Sequence, residues 1–272
     1  MTLSNQQQAD LAKVLQLRNN HVETGFMRPL QFLRKYAAPL SYSKSAVLMA
    51  PPELSISCGI NDTGLGSASA APVYPTGSTH LWDVANITTF DDSGTLRITG
   101  VTDPIGAANL SQADNAKRAI SSGGAMVFDG VDDTYSVSYS LSQPFARIAV
   151  VQGDGTAGTV CDGATLNTAR IYFASAAIRA YAGSTLQRTT AFTTKEIYVA
   201  VFDGASSLLK INDGAAHSGA VGAAVPNGFT MGTLGNGTTD PFGGSIFGIL
   251  ECNPANLAEN LAWMAARHGV SI

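Results

Sequence analysis

The sequence predicts a mainly β chain built as an antiparallel β-sandwich, and three observations predict it. Short apolar runs recur from residue 81 onward, separated by Asp-Gly and Asn-Gly pairs. Such pairs favour the positive φ angles of tight hairpins, and many short strands with regular turn signals mark a sandwich. Only 13% of the 272 residues are charged, against roughly 25% in an average globular chain. The last apolar run, 244–253, passes through Pro254 into one closing helix.

The elements follow in order. Residues 4–22 read as a helix capped by Ser4, with Leu11, Val14, Leu15, Arg18 and Val22 at helical spacing. Gly25 and Pro29 break it, and Phe26, Met27, Leu30, Phe32, Leu33 and Tyr36 form a second apolar cluster. Pro51-Pro52 marks a boundary, and 53–80 is rich in Gly, Ser, Ala and Pro, as a linker is. This divides the chain into an N-terminal helical arm (1–50), a linker (51–80) and a sandwich (81–272).

Strands are expected at 95–101, 125–128, 135–139, 148–152, 159–161, 170–173, 178–181, 197–202, 208–211, 229–233 and 245–251. Residues 102–122 read as a long loop over one edge. In the closing helix Asn256 is a cap candidate with Glu259 three residues on, a capping-box pattern. Leu257, Leu261 and Met264 share a face beside Trp263, and Gly269 suits a left-handed stop.

Four patches in order resemble the concanavalin A-like, laminin-G-like sandwich modules of phage virion and bacterial surface proteins. They are Leu81-Trp82-Asp83-Val84-Ala85, the Phe128-Asp129-Gly130-Val131-Asp132-Asp133 turn, the strand pair from Val199 to Gly214, and the final strand and helix ending Arg267-His268-Gly269-Val270. The resemblance covers roughly residues 81–272. It implies a concanavalin A-like jelly roll with a short C-terminal helix, and a virion setting. About eighty residues before the module depart from the pattern.

Charge is uneven. Residues 1–50 carry six basic and two acidic residues, net +4, whereas the remainder carries ten basic and eighteen acidic, net −8. A basic arm on an acidic body suits docking on an acidic neighbour, and equally suits a solvated helix. The stripe Leu11, Val14, Leu15 and Val22, with Phe26, Phe32 and Tyr36, is the candidate assembly surface. It would pack either on another chain or back on its own sandwich.

Cys58, Cys161 and Cys252 are far apart and odd in number, which suits free, buried thiols in a reducing cytosol. The N-terminus lacks a signal-peptide profile, and no apolar run nears the about 20 residues of a membrane span. Synthesis in a host cytoplasm and residence in a virion are the expectation. Basic residues do not cluster with aromatics outside the arm, so a nucleic-acid partner is not expected.

Chemistry is sparse. The four histidines lack metal spacing, and no nucleophile elbow, Walker loop or zincin pattern occurs. A glycosidase needs two carboxylates facing one sugar, whereas Asp83, Glu196 and Glu251 each stand alone on a strand. The expectation is a protein without enzymatic activity and without a cofactor. Asp129, Asp132 and Asp133 crowd one turn and are weak Ca2+ candidates, with an Asx turn the better account.

Tyr74, Tyr135, Tyr181, Asn236 and Asp240 are candidate glycan contacts near loops, while Trp82 and Trp263 suit packing. The functional expectation is a non-enzymatic structural protein of a tailed-phage particle: decoration, collar, fibre or tail component. Its partners would be other virion proteins and copies of itself. The alternative is an adhesin recognising host-surface glycan, with a glycan hydrolase a distant third.

Overall fold

A computed structural model describes residues 73–174 and 176–272, which belong to one compact unit. The expected helical arm, with Leu11, Val14, Leu15, Val22, Phe26, Phe32 and Tyr36, lies outside the described residues, as do Cys58 and most of the expected linker. Among the described residues no helix is long and apolar enough to cross a membrane.

The described chain is mainly β. Its strands begin with β1 (Ser78–Asp83), β2 (Ile87–Asp92), β3 (Thr95–Val101), β4 (Leu110–Ser111), β5 (Ile120–Ser122) and β6 (Ala125–Asp129). They continue with β7 (Tyr135–Val137), β8 (Phe145–Gly153), β9 (Gly158–Asp162), β10 (Arg170–Ala174), β11 (Ala177–Tyr181) and β12 (Thr185–Thr189). Last come β13 (Glu196–Phe202), β14 (Ser207–Ile211), β15 (His217–Gly219), β16 (Phe229–Met231) and β17 (Gly243–Cys252), followed by the helix α1 (Leu257–His268).

All the pairings are antiparallel, and they form one continuous ladder that is nearly barrel-shaped. One half runs β15-β14-β13-β8-β17, with β6 and then β1 sharing the far edge of β17. The ladder passes through β6, β5 and β3 into the other half, β4-β7-β16-β9-β10-β11-β12.

The strands β8, β13 and β17 are apolar on both faces, as strands with both sides covered are. Alternate residues diverge. Phe145, Ala149 and Val151 of β8 and Tyr198, Ala200 and Phe202 of β13 enter the main core, with Trp82 stacked on Phe229 at 3.9 Å. Their neighbours Ala146, Ile148, Val150, Ile197 and Val199 face outward and are covered by Leu261, Met264 and Ala265 of α1. The helix is thus a second layer outside the sheet, and it stops at Gly269, whose φ of 63° is left-handed.

Several expectations need correction. Asn256 makes no side-chain cap bond, and Asn253 caps instead, accepting from the Ala255 N–H across a single 3-10 turn. Glu259 accepts from the Thr76 N–H at 3.2 Å, so no capping box forms. Pro254 at the start of that turn moves the cap three residues upstream of the expected one. The segment 102–122 is not a bare loop, since it carries β4, a 3-10 turn and β5. The first strand starts at Ser78, inside the expected linker, because β17 supplies a partner edge there. Strands β2, β12 and β15 were not expected either, and their polar, exposed sequences carry little apolar signal.

Candidate functional site

Strands β10 and β11 form a hairpin whose two faces differ sharply. Ile171, Phe173, Ile178 and Ala180 point into the core. Arg170, Tyr172, Arg179 and Tyr181 take the alternate positions and point outward, each half-buried. The register sets Arg170 opposite Tyr181 and Tyr172 opposite Arg179, so the four side chains alternate like a checkerboard. Exposed Thr185 and Gln187 of β12 extend the face, opposite Tyr181 and Arg179.

Electrostatics divide the two arginines. The Arg170 guanidinium sits 3.7 Å from the centre of the Tyr172 ring, a cation–π contact. It pairs with Asp240, and its Nε donates to Thr159 Oγ1 at 2.9 Å, while Thr159 Oγ1 donates to Asp240 Oδ2 at 3.0 Å. Burial pushes the Arg170 guanidinium below its usual range. Arg179 lies 5.8 Å from the same ring. Among the described residues it forms no salt bridge, and its Nε is shielded from solvent without a hydrogen-bond partner.

The glycan candidates read from sequence separate in space. Tyr181 and Asp240 reach this one face, through Arg170. Asn236 lies in the loop leading to Asp240 and closes its own turn, accepting from the Thr238 and Thr239 N–H groups. Tyr74 packs edge-on against Trp263 at 6.2 Å, on the α1 side of the molecule. Tyr135 is enclosed in the core, accepting from the Ala119 N–H and donating to the Ile98 carbonyl, and presents nothing to a ligand. Arg170, Tyr172 and Arg179 were missed, although the alternation Arg-Ile-Tyr-Phe followed by Ile-Arg-Ala-Tyr marks them.

A second cluster lies where α1 ends. A cavity of about 390 Å³ is lined by Asp83, Lys195, Phe247, Arg267 and His268, among others. Arg267 Nε donates to Asp83 Oδ2 at 2.6 Å, and His268 Nε2 lies 3.1 Å from the same oxygen. Burial raises the Asp83 carboxyl, but His268, Arg267 and the Ala85 N–H more than offset this and hold it at about 2. Lys195 Nζ donates to the His268 carbonyl at 2.5 Å and lies over the Phe247 ring at 4.0 Å. These groups fasten a helix C-terminus, where cations are favoured.

The three turn carboxylates do come together, with ligand atoms of Asp129, Asp132 and Asp133 within 4.8 Å of one another. Their oxygens already serve the turn. Asp129 Oδ1 accepts from the Val131 N–H, and Asp133 Oδ2 accepts from the Asp129 N–H. Burial, then repulsion from Asp129 and Asp132, pushes Asp133 up to about 6. Of the six oxygens of three carboxylates, Asp129 Oδ1 and Asp133 Oδ2 already accept N–H groups, which leaves four against the six to eight that Ca2+ takes.

Cys161 and Cys252 are free and buried, and burial pushes both thiols up to about 12, far from reactive thiolates.

No protein-family model matches the chain, and no curated protein matches it. Solved structures do. A Trypanosoma rangeli sialidase in complex with sialic acid is 12% identical over 70% of this chain and 33% of that one, with a TM-score of 0.47. Domain 4 of a GH43 extracellular arabinanase from Geobacillus stearothermophilus, in complex with arabinotriose, is 12% identical over 69% and 100%, with a TM-score of 0.42. The CBM40 of a Ruminococcus gnavus IT-sialidase is 15% identical over 51% and 95%, with a TM-score of 0.36.

The chain spans a third of the length of the sialidase it matches. The expectation that the chain is not an enzyme is corrected by these matches. They include sialidases and a domain of an arabinanase, so the fold gives no ground for setting hydrolysis aside. At these identities and TM-scores they assign no activity. What the chain shares with them is a β-rich, jelly-roll-like architecture.

Proposed function

We propose that this chain recognises saccharide through the outer face of β10 and β11. The observation that carries the reading is the Arg170–Tyr181 and Tyr172–Arg179 checkerboard, flanked by Thr185 and Gln187. Aromatic rings offer flat apolar surface to the C–H face of a pyranose, and guanidinium, amide and hydroxyl groups bond its oxygens. Packed strands hold these side chains, which keeps the ordering cost of binding low.

The test is a glycan array probed with the full chain and with Tyr181→Ala. Tyr181 is half-buried at the face and its loss leaves the core intact. At least tenfold weaker binding by the variant, with an unchanged melting temperature, supports the reading. No bound glycan, or equal binding by both proteins, overturns it. Bound saccharides are also followed for release of reducing ends, which reports hydrolysis directly.

The setting of the module is part of the same proposal: a tailed-phage particle, with the arm over 1–50 holding the sandwich on other virion proteins or on copies of itself. The sequence resemblance and the net +4 of that arm support it. Purified particles that lack the chain by mass spectrometry would remove this setting. A chain without residues 1–50 that still joins them would instead remove the arm's role.

A further inference from the structure

We infer that the saccharide bound at this face is acidic, and that Arg179 reads its carboxylate or sulfate. The inference rests on the reading of the β10–β11 face as a saccharide site. It follows from how differently the two arginines of one hairpin are satisfied.

Arg170 is fully engaged. Asp240 neutralises it, Thr159 accepts from its Nε, and its guanidinium lies on Tyr172. A neutral saccharide could meet this pair through hydroxyl groups alone. Arg179 stands directly across the ladder from Tyr172, with Gln187 on its other side. Its charge has no carboxylate partner among the described residues, and its Nε is desolvated without an acceptor.

The Arg179 Nη groups make no hydrogen bond among the described residues and, unlike Nε, are not closed off from solvent, so they are the donors a ligand can reach. A guanidinium presents a planar fork of donors that matches two oxygens of one acidic group. Tyr181, beside Arg179 at the end of the same strand, then offers its ring to the sugar that carries that group. Asp240, paired with Arg170, leaves that end of the face without net charge, so Arg179 is the end of the face that selects an anion. Carboxylate and sulfate share this chemistry, and matched ligands separate them.

The experiment uses the full chain and two pairs of immobilised polysaccharides: polygalacturonate with its carboxyl-reduced form, and chondroitin sulfate with its desulfated form. The expected result is at least tenfold tighter binding to the acidic member of one pair, which names the group. Arg179→Gln should remove about that tenfold preference, weakening binding of the acidic member about tenfold more than binding of the neutral one. Lys210→Gln removes a cation paired with Asp213 on β14 and serves as the control for general charge attraction. Equal losses in the two variants overturn the inference.

A chain that binds neutral glycans on the array but shows no acidic preference in either pair also overturns it, while the saccharide reading stands. A chain that binds no saccharide in any format overturns both.

Discussion

Arg147 of β8 and Glu251 of β17 lie directly opposite in the ladder and form a fully buried ion pair, Nε to Oε1 at 2.6 Å. Tyr139 donates its hydroxyl to the other Glu251 oxygen at 2.8 Å, and Arg147 Nη1 donates to the Ala169 carbonyl. The guanidinium also lies 5.0 Å from the Phe229 ring. The pair sits between the two halves of the sandwich, so Glu251 is an internal strut and cannot touch a substrate.

Breaking this pair from one side strands a charge in the core. Glu251→Leu should cost about 3–5 kcal/mol in urea unfolding. The double change Arg147→Met with Glu251→Leu should recover most of that loss, because well-packed apolar groups replace buried pairs at little cost. A double variant as unstable as the single one would mean that the pair itself, and not the stranded charge, sets the cost.

Leu261 of α1 is buried at 4% exposure against the outer face of β8 and β17. Leu261→Ala should cost about 2–5 kcal/mol. Glu259 is exposed, bonds one N–H and caps nothing, so Glu259→Ala should cost under about 1 kcal/mol. Chemical denaturation of both variants checks the ratio, and comparable losses would mean that α1 does not bury its apolar face.

Asp83 and Asp103 carry the acid sensitivity of the fold. Burial raises Asp103, but His80 and the N–H groups of Leu81, Gly106 and Ile105 outweigh it and hold the carboxyl at about 2, as for Asp83. Both are depressed carboxyls, so their stabilisation is complete above the unfolded value near 3.8 and is lost as pH falls toward 2. Melting temperature should drop between pH 4 and about 2, and Asp83→Asn should flatten part of that drop. An unchanged profile in the variant would remove Asp83 from the account.

Asp133 has the opposite sign. Its carboxyl is raised from 3.8 to about 6, so its environment favours the neutral form, and the stability this confers is complete below 3.8 and is lost as pH rises through 6. Asp133→Asn keeps an acceptor for the Asp129 N–H and removes the charge. It should raise the melting temperature by a few degrees at pH 7.5 and change it little at about pH 3.5, below the ordinary carboxyl value of 3.8, the scale expected for about 1 kcal/mol in a domain of this size. A stabilisation equal at both pH values would trace the effect to packing.

The sequence by itself determined the strands with alternating or continuous apolar patterns, because burial of one or both faces writes itself into local periodicity. Strand β3 was read at Thr95–Val101, its observed span, and β6, β8, β9, β10, β11, β13, β14 and β17 within a few residues of their ends. The closing helix, its buried Leu261 and Met264, and the Gly269 stop were equally local. Tertiary structure decided what depends on distant partners. The strand acids Asp83 and Glu251, isolated in sequence, acquire Arg267 and Arg147, which lie 184 and 104 residues away. Tyr135 and Tyr181 are both tyrosines beside turns, yet one fills the core and the other the outer face. Strand parity relative to the ladder, not residue type, separates them. The candidate site arises the same way: four alternate residues become one surface only when β10 and β11 pair in the register that sets each arginine opposite a tyrosine.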